Sequence, residues 1–182
     1  MGTIGAGTAT LAAPWLGSAA AATDDELAYA NFGASVELLL KDFYARALDA
    51  KVASGSGAGV LRKGRSAAAQ HARALSDLLV GAGDVAPVEE DFAFEWPAPT
   101  FRTPRSVVTT GTGVLRALLG AYQGASASVS EASYRILYAS LAASVGQQIG
   151  ALATLAQPVA VEPFPVALDL EAASTALERY LG

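Results

Sequence analysis

Between Asp24 and Lys51 the apolar residues Phe32, Val36, Leu39, Leu40, Phe43 and Ala47 recur three and four positions apart. A helix turns such a series into one continuous face, because side chains at i, i+3 and i+4 stand above one another. Lys41, Asp42, Arg46 and Asp49 fall on the wetter side, and Asp24 and Asp25 suit the positive end of the helix dipole. The same period returns three more times. Val60 to Val80 offers Ala67, Ala68, His71, Ala74, Leu75, Leu78 and Leu79 for packing. Arg105 to about Ser126 offers Val114, Leu115, Leu118, Leu119 and Tyr122. A fourth stretch, from Ser130 to about Gln157, turns Ile136, Leu137, Leu141, Val145, Ile149, Leu152 and Leu155 inward.

The breaks between these stretches set the connectivity. Ser54-Gly55-Ser56-Gly57 reads as a flexible turn, and Gly81-Ala82-Gly83 closes the second helix. The connection from Asp84 to Pro104 contains Pro87, Pro97, Pro99 and Pro104, which forbid a long helix. Its Phe92, Phe94, Trp96 and Phe101 point to a loop pinned across a core. Ser130 and Glu131 suit a helix start; Pro158 stops the fourth helix, Pro163 and Pro165 follow in the tail, and Asp169 can cap a short last helix. No strand-like alternation is sustained. The expected fold is all-α: a four-helix bundle with a long crossover between helices two and three and a short C-terminal helix. The bundle is expected over 23–157, with a Pro-rich tail and capping helix over 158–182.

Composition removes several function classes. Twelve Lys and Arg against 17 Asp and Glu leave a net charge of −5, without the basic footprint that nucleic acid needs. With no Cys and a single His, disulfide scaffolds, thiolate metal sites and three-histidine zinc sites are excluded. A 52% apolar share is more than one small bundle readily hides, which leaves room for a homodimer.

Residues 1–22 carry no charge, are rich in Gly, Ala and Thr, and end in a run of Ala before Asp24-Asp25-Glu26. This resembles the weakly apolar core and cleavage site of an export signal whose basic n-region is missing. Gly and Thr in a mild apolar stretch suit a twin-arginine signal better than a general secretory one. The expected location is extracytoplasmic, in the periplasm, the envelope or secreted, with no membrane span after signal removal.

Other candidate sites fail on context. Gly59 to Ser66 comes within one residue of a phosphate loop, but Arg65 stands where Lys is required and no strand precedes it. Gly2, Gly5 and Gly7 form a weaker glycine cluster. A Ser-His-Asp triad would need His71 as base, and no Ser sits in a strained strand-to-helix turn. Lys63, Arg65 and Arg73 read as a solvated helix face.

Glu37 and His71 remain, each in a long apolar helix. Around them Tyr29-Ala-Asn-Phe-Gly-Ala-Ser-Val-Glu-Leu-Leu-Leu-Lys-Asp-Phe-Tyr-Ala-Arg-Ala-Leu48 and Ala68-Ala-Gln-His-Ala-Arg-Ala-Leu75 resemble the first two helices of the ferritin-like superfamily. The likeness is nearest to its exported, desiccation-related bacterial members. Phe94-Glu-Trp-Pro-Ala-Pro-Thr-Phe101 is similar to their aromatic crossover. Ala121 to Ala125 resembles helix three, and Val145-Gly-Gln-Gln148 resembles the Glu-x-x-His of helix four.

A di-iron bundle takes one Glu from each of two helices and a Glu-x-x-His from each of the other two. Carried over by this resemblance, Glu37 keeps the first ligand and His71 keeps the second helix's histidine. Ala68, Leu115, Val145 and Gln148 stand at the other four positions. From Arg105 to Gln157 the only carboxylate is Glu131, so no register shift restores the missing charge. Ions of that charge need neutralising carboxylates. The expectation is therefore no metal, no cofactor and no enzyme. Glu37 would pair with Lys41, and His71 would be a core histidine bonded to Glu37 or Gln148. The expected role is structural or binding, linked to stress or desiccation, with an unidentified protein or small-molecule partner. Two alternatives stand beside it. One is a reduced iron or manganese site at Glu37 and His71, with Gln148 or a second protomer completing it. The other is a small-molecule or lipid carrier.

Overall fold

The computed structural model describes residues 23–156 and 165–181. Residues 1–22, read above as an export signal, and Gln157, Pro158 and Pro163 lie outside the described residues. The described chain is helical apart from its connections: α1 (Asp24–Asp49), α2 (Gly55–Gly81), α3 (Pro104–Ser128), α4 (Ala132–Ala153) and α5 (Leu170–Leu181). Helix α1 lies chiefly against α2, and α3 chiefly against α4. The two hairpins meet through α1 with α3 and α2 with α4, and α5 closes over α3 and α1.

The helix ends follow from side-chain chemistry. Thr23 caps α1 in a reciprocal box with Glu26, satisfying two backbone N–H groups that the helix leaves open. Thr103 does the same for α3 with Ser106, and Pro104 occupies the first helical position, where no donor is needed. Asp169 accepts from the N–H of Ala172 at 2.8 Å, the expected cap of α5. Glu131, rather than Ser130, caps α4 through the N–H of Ser133.

Three expectations need correction. Helix α2 begins at Gly55, so the Ser-Gly-Ser-Gly run is its cap and first turn instead of a flexible linker. A Cβ at Gly57 would meet Ala53 and Leu155 at 3.0 Å, so the small residue lets that turn pack closely. The α-helical part of α4 ends at Ala153, short of the expected Gln157. Ile136 is 58% exposed instead of inward. Helix α4 is apolar or small on every side, which blurs its stripe; by length and composition it could cross a membrane. Its Tyr138, Leu141, Val145 and Leu152 nevertheless form part of the bundle core.

The crossover is pinned as its aromatics suggest. Trp96 packs on Phe43 (5.2 Å between ring centres), Phe101 (5.7 Å) and Tyr180 (5.2 Å). Its indole N–H donates to Asp42 at 2.7 Å, and the N–H of Glu95 donates to the carbonyl of Tyr180 at 3.0 Å. A further short turn, Glu89–Asp91, brings Glu89 to Lys41.

Candidate functional site

Four helices each send polar side chains into the middle of the bundle. Glu37 on α1 is fully buried. Its Oε1 accepts from His71 Nδ1 of α2 at 2.9 Å and from the Tyr122 hydroxyl of α3 at 3.1 Å. The other imidazole nitrogen, Nε2, lies 3.0 Å from the Ser144 hydroxyl of α4. With Oε1 accepting twice, we assign the imidazole proton to Nδ1, so the Nε2 lone pair faces the serine hydroxyl. One unbroken line of contacts thus runs Ser144, His71, Glu37, Tyr122.

Two glycines make room for this line and for its neighbour Tyr44. A Cβ at Gly33, one turn before Glu37, would sit 2.9 Å from the Tyr122 ring and 3.0 Å from its hydroxyl. Gly64 is overlain by the Tyr44 ring so closely that a Cβ there would overlap it. Freed by that contact, Tyr44 reaches across to donate to Gln148 Oε1 at 3.2 Å.

Burial dominates the electrostatics. It pushes the Glu37 carboxyl up, and the opposing hydrogen bond and charge of His71 and the Tyr122 hydroxyl do not cancel it. Burial and the neighbouring Glu37 also push the Tyr122 and Tyr44 phenols up. Glu37 Oε2 and Gln148 Nε2 have no hydrogen-bond partner. His71 keeps 15% of its side chain exposed, so the line opens toward solvent at its α2–α4 end. There Ser144, Gln147, Gln148, Tyr44, Lys63, Gly64 and Ala67 border a cleft of ≈ 290 Å³.

The bond between Glu37 and His71 is the expected one, but two partners differ. Lys41 pairs with Glu89 instead of Glu37, because it lies on the face of α1 that the crossover covers. Ser144, one turn before Gln148, takes the second imidazole nitrogen, while Gln148 is engaged by Tyr44. Sequence reasoning treated Tyr122 as a packing residue and passed over Ser144 and Tyr44. The available signal was spacing: Ser144 and Gln148 are four apart, and Tyr122 lies two turns beyond Leu115 on the same face. The phosphate-loop-like stretch lies inside α2, where the helix uses its backbone amides, and Lys63, Arg65 and Arg73 are exposed as expected.

The residues present do not fit a di-iron centre. Ala68, Leu115 and Val145 are fully buried apolar residues at three of the positions that the resemblance assigns to ligands, and Gln148 supplies only a neutral amide. Among the described residues no group of three or more His, Asp or Glu is arranged to hold a metal ion.

No curated protein matches the chain. The family model of the ferritin-like domain matches residues 25–158, spanning the four long helices and the crossover described above. The chain therefore belongs to the ferritin-like domain family.

Proposed function

We propose that this chain is an exported ferritin-like bundle that has given up di-iron chemistry and serves as a structural or binding module outside the cytoplasm. The observation that carries this reading is the replacement of four of the family's six ligand positions by Ala68, Leu115, Val145 and Gln148, three of them wholly apolar and buried. The retained Glu37 and His71 bond to each other and to Tyr122 and Ser144. The uncharged, Ala-rich segment before Asp24 supports export, and the resemblance to desiccation-related proteins suggests a role under stress.

A reduced metal site at Glu37 and His71 draws on the unpartnered Glu37 Oε2. Against it, both imidazole nitrogens are already engaged, Nδ1 by Glu37 and Nε2 by Ser144. A carrier role draws on a mostly apolar cavity of ≈ 450 Å³ lined by Ala117, Leu119, Ile149, Pro165, Val166 and Leu168. It is the second reading.

Elemental analysis of the purified protein tests the first. The expected result is no stoichiometric iron or manganese and a melting temperature unmoved by chelator, since no metal-linked folding energy is there to remove. Stoichiometric metal, or a chelator-induced drop, overturns it. Export is tested with the N-terminal segment and its full upstream sequence fused to a reporter. Delivery of the reporter and cleavage near Ala22 are expected, and an uncut cytoplasmic reporter contradicts export.

A further inference from the structure

The serine that sequence reasoning could not find for His71 lies on α4. Ser144 Oγ to His71 Nε2 is 3.0 Å, and His71 Nδ1 to Glu37 Oε1 is 2.9 Å. A hydroxyl, an imidazole bonded through both nitrogens and a buried carboxyl in series form the relay that activates serine nucleophiles on unrelated folds. The relay is recognised by its geometry and not by chain order, which here runs Glu37, His71, Ser144.

We propose that Ser144 is a nucleophile that accepts short acyl groups from esters, with His71 as its base and Glu37 as the positioning residue for His71. This inference rests on the metal-free reading above, because a metal on His71 would take the lone pair that Ser144 needs. The serine is partly exposed and borders the ≈ 290 Å³ cleft between α2 and α4, near the lower limit of ligand pockets and suited to a small acyl chain. Glu37, itself held by the Tyr122 hydroxyl, fixes the imidazole from the buried side, and the cleft gives an ester access from the other. Gln148 lines the same cleft one turn beyond Ser144, and its Nε2 has no hydrogen-bond partner.

The chemistry closes with water alone. Ser144 Oγ bonds to the ester carbonyl carbon as its proton passes to His71 Nε2. The carbon–alkoxide bond then breaks, and the leaving alcohol takes that proton. Water attacks the acyl carbon, giving a proton to Nε2. The bond to Oγ breaks, the proton returns to Ser144, and the acid leaves.

The test uses the full chain, assayed first for metal, then treated with a fluorophosphonate and with p-nitrophenyl acetate. One phosphonyl group per chain is expected, mapped to Ser144, together with a burst of nitrophenolate. Ser144→Ala should abolish the label and the burst, while Ser140→Ala, at an exposed serine of the same helix, should leave both intact. His71→Gln should slow labelling about 100-fold, the usual share of a general base. Glu37→Gln, which keeps the hydrogen bond but not the charge, should slow it less than His71→Gln does, with the helical circular dichroism unchanged. A folded, metal-free protein whose Ser144 stays unlabelled, or labels no faster than other serines, overturns this inference and leaves the metal-free reading standing. A preparation with stoichiometric metal overturns both.

Discussion

Helix α1 buries two glutamates about three turns apart, and the chain treats them in opposite ways. Glu26 is 2% exposed and uses both oxygens: Oε2 accepts from the N–H of Thr23 at 2.8 Å, and Oε1 from the N–H of Glu131 at 3.1 Å and the Ser130 hydroxyl at 3.5 Å. Glu37 takes two donors on Oε1 and none on Oε2. Burial pushes both carboxyls up, but for Glu26 the backbone donors of Thr23 and Glu131 and the hydroxyls of Thr23 and Ser130 more than offset it, holding it below the usual range. Glu37 stays above that range. The difference lies in where spare donors exist. Helix ends leave backbone N–H groups open, whereas mid-helix amides are already committed, so a carboxyl halfway along a bundle depends on side chains from other helices.

The largest expected effect comes from breaking the well-served glutamate. Glu26→Ala orphans donors at the start of α1 and at the α3–α4 turn, and should cost about 3 kcal/mol in urea unfolding, from the usual penalty for buried groups that lose a charged partner. A loss below that of His71→Ala would show that the turn finds other acceptors.

His71→Ala should cost about 2 kcal/mol, because it leaves Glu37 buried with one partner fewer. Glu37→Leu combined with His71→Leu should recover much of this, since apolar replacement of both members of a buried polar pair is often near neutral. A double variant no more stable than the single one would indicate a metal or packing role instead of a pair. Gly33→Ala should cost about 1–2 kcal/mol by overpacking against Tyr122, and Tyr122→Leu in the same chain should relieve it. Thermal melts of these variants provide the check.

The smallest effect is the most diagnostic. Lowered in the folded state, Glu26 contributes stability that is present above 4.5 and lost as pH falls through its folded value. Raised in the folded state, Glu37 does the reverse: its contribution falls as pH rises above 4.5. Stability of Glu26→Gln relative to wild type should therefore improve on acidification. Glu37→Gln should improve relative to wild type as pH rises above 4.5, because it carries no charge to bury. Parallel curves for the two variants would contradict the contrast.

Periodicity made the fold legible because each helix has to bury a stripe of spacing three to four, and the four prolines of the crossover left few ways to connect the stripes. It failed where backbone preference and packing disagree. Gly55 and Gly57 argue for a turn by propensity, yet Ala53 and Leu155 close in on Gly57, where only a residue without a Cβ leaves room for a compact helical turn. The candidate site was half legible. Glu37 and His71 stood out as polar groups in apolar stretches, and their bond followed. Ser144 and Tyr122 did not, because their reach to His71 and Glu37 depends on how far α3 and α4 are slid along α1 and α2, and a stripe fixes a helix's rotation but not its axial position.

Trp96 is the one tryptophan among the described residues, and its ring touches α1 through Phe43 and α5 through Tyr180. That placement joins segments far apart in the chain, whereas the α1–α2 hairpin is built from neighbours in sequence. Local pairs close early and distant ones late, since a longer loop has to lose its freedom first. With Trp15 replaced by Phe, indole emission should then lag the gain of helical circular dichroism during refolding, timing the moment at which the tail helix locks the crossover in place.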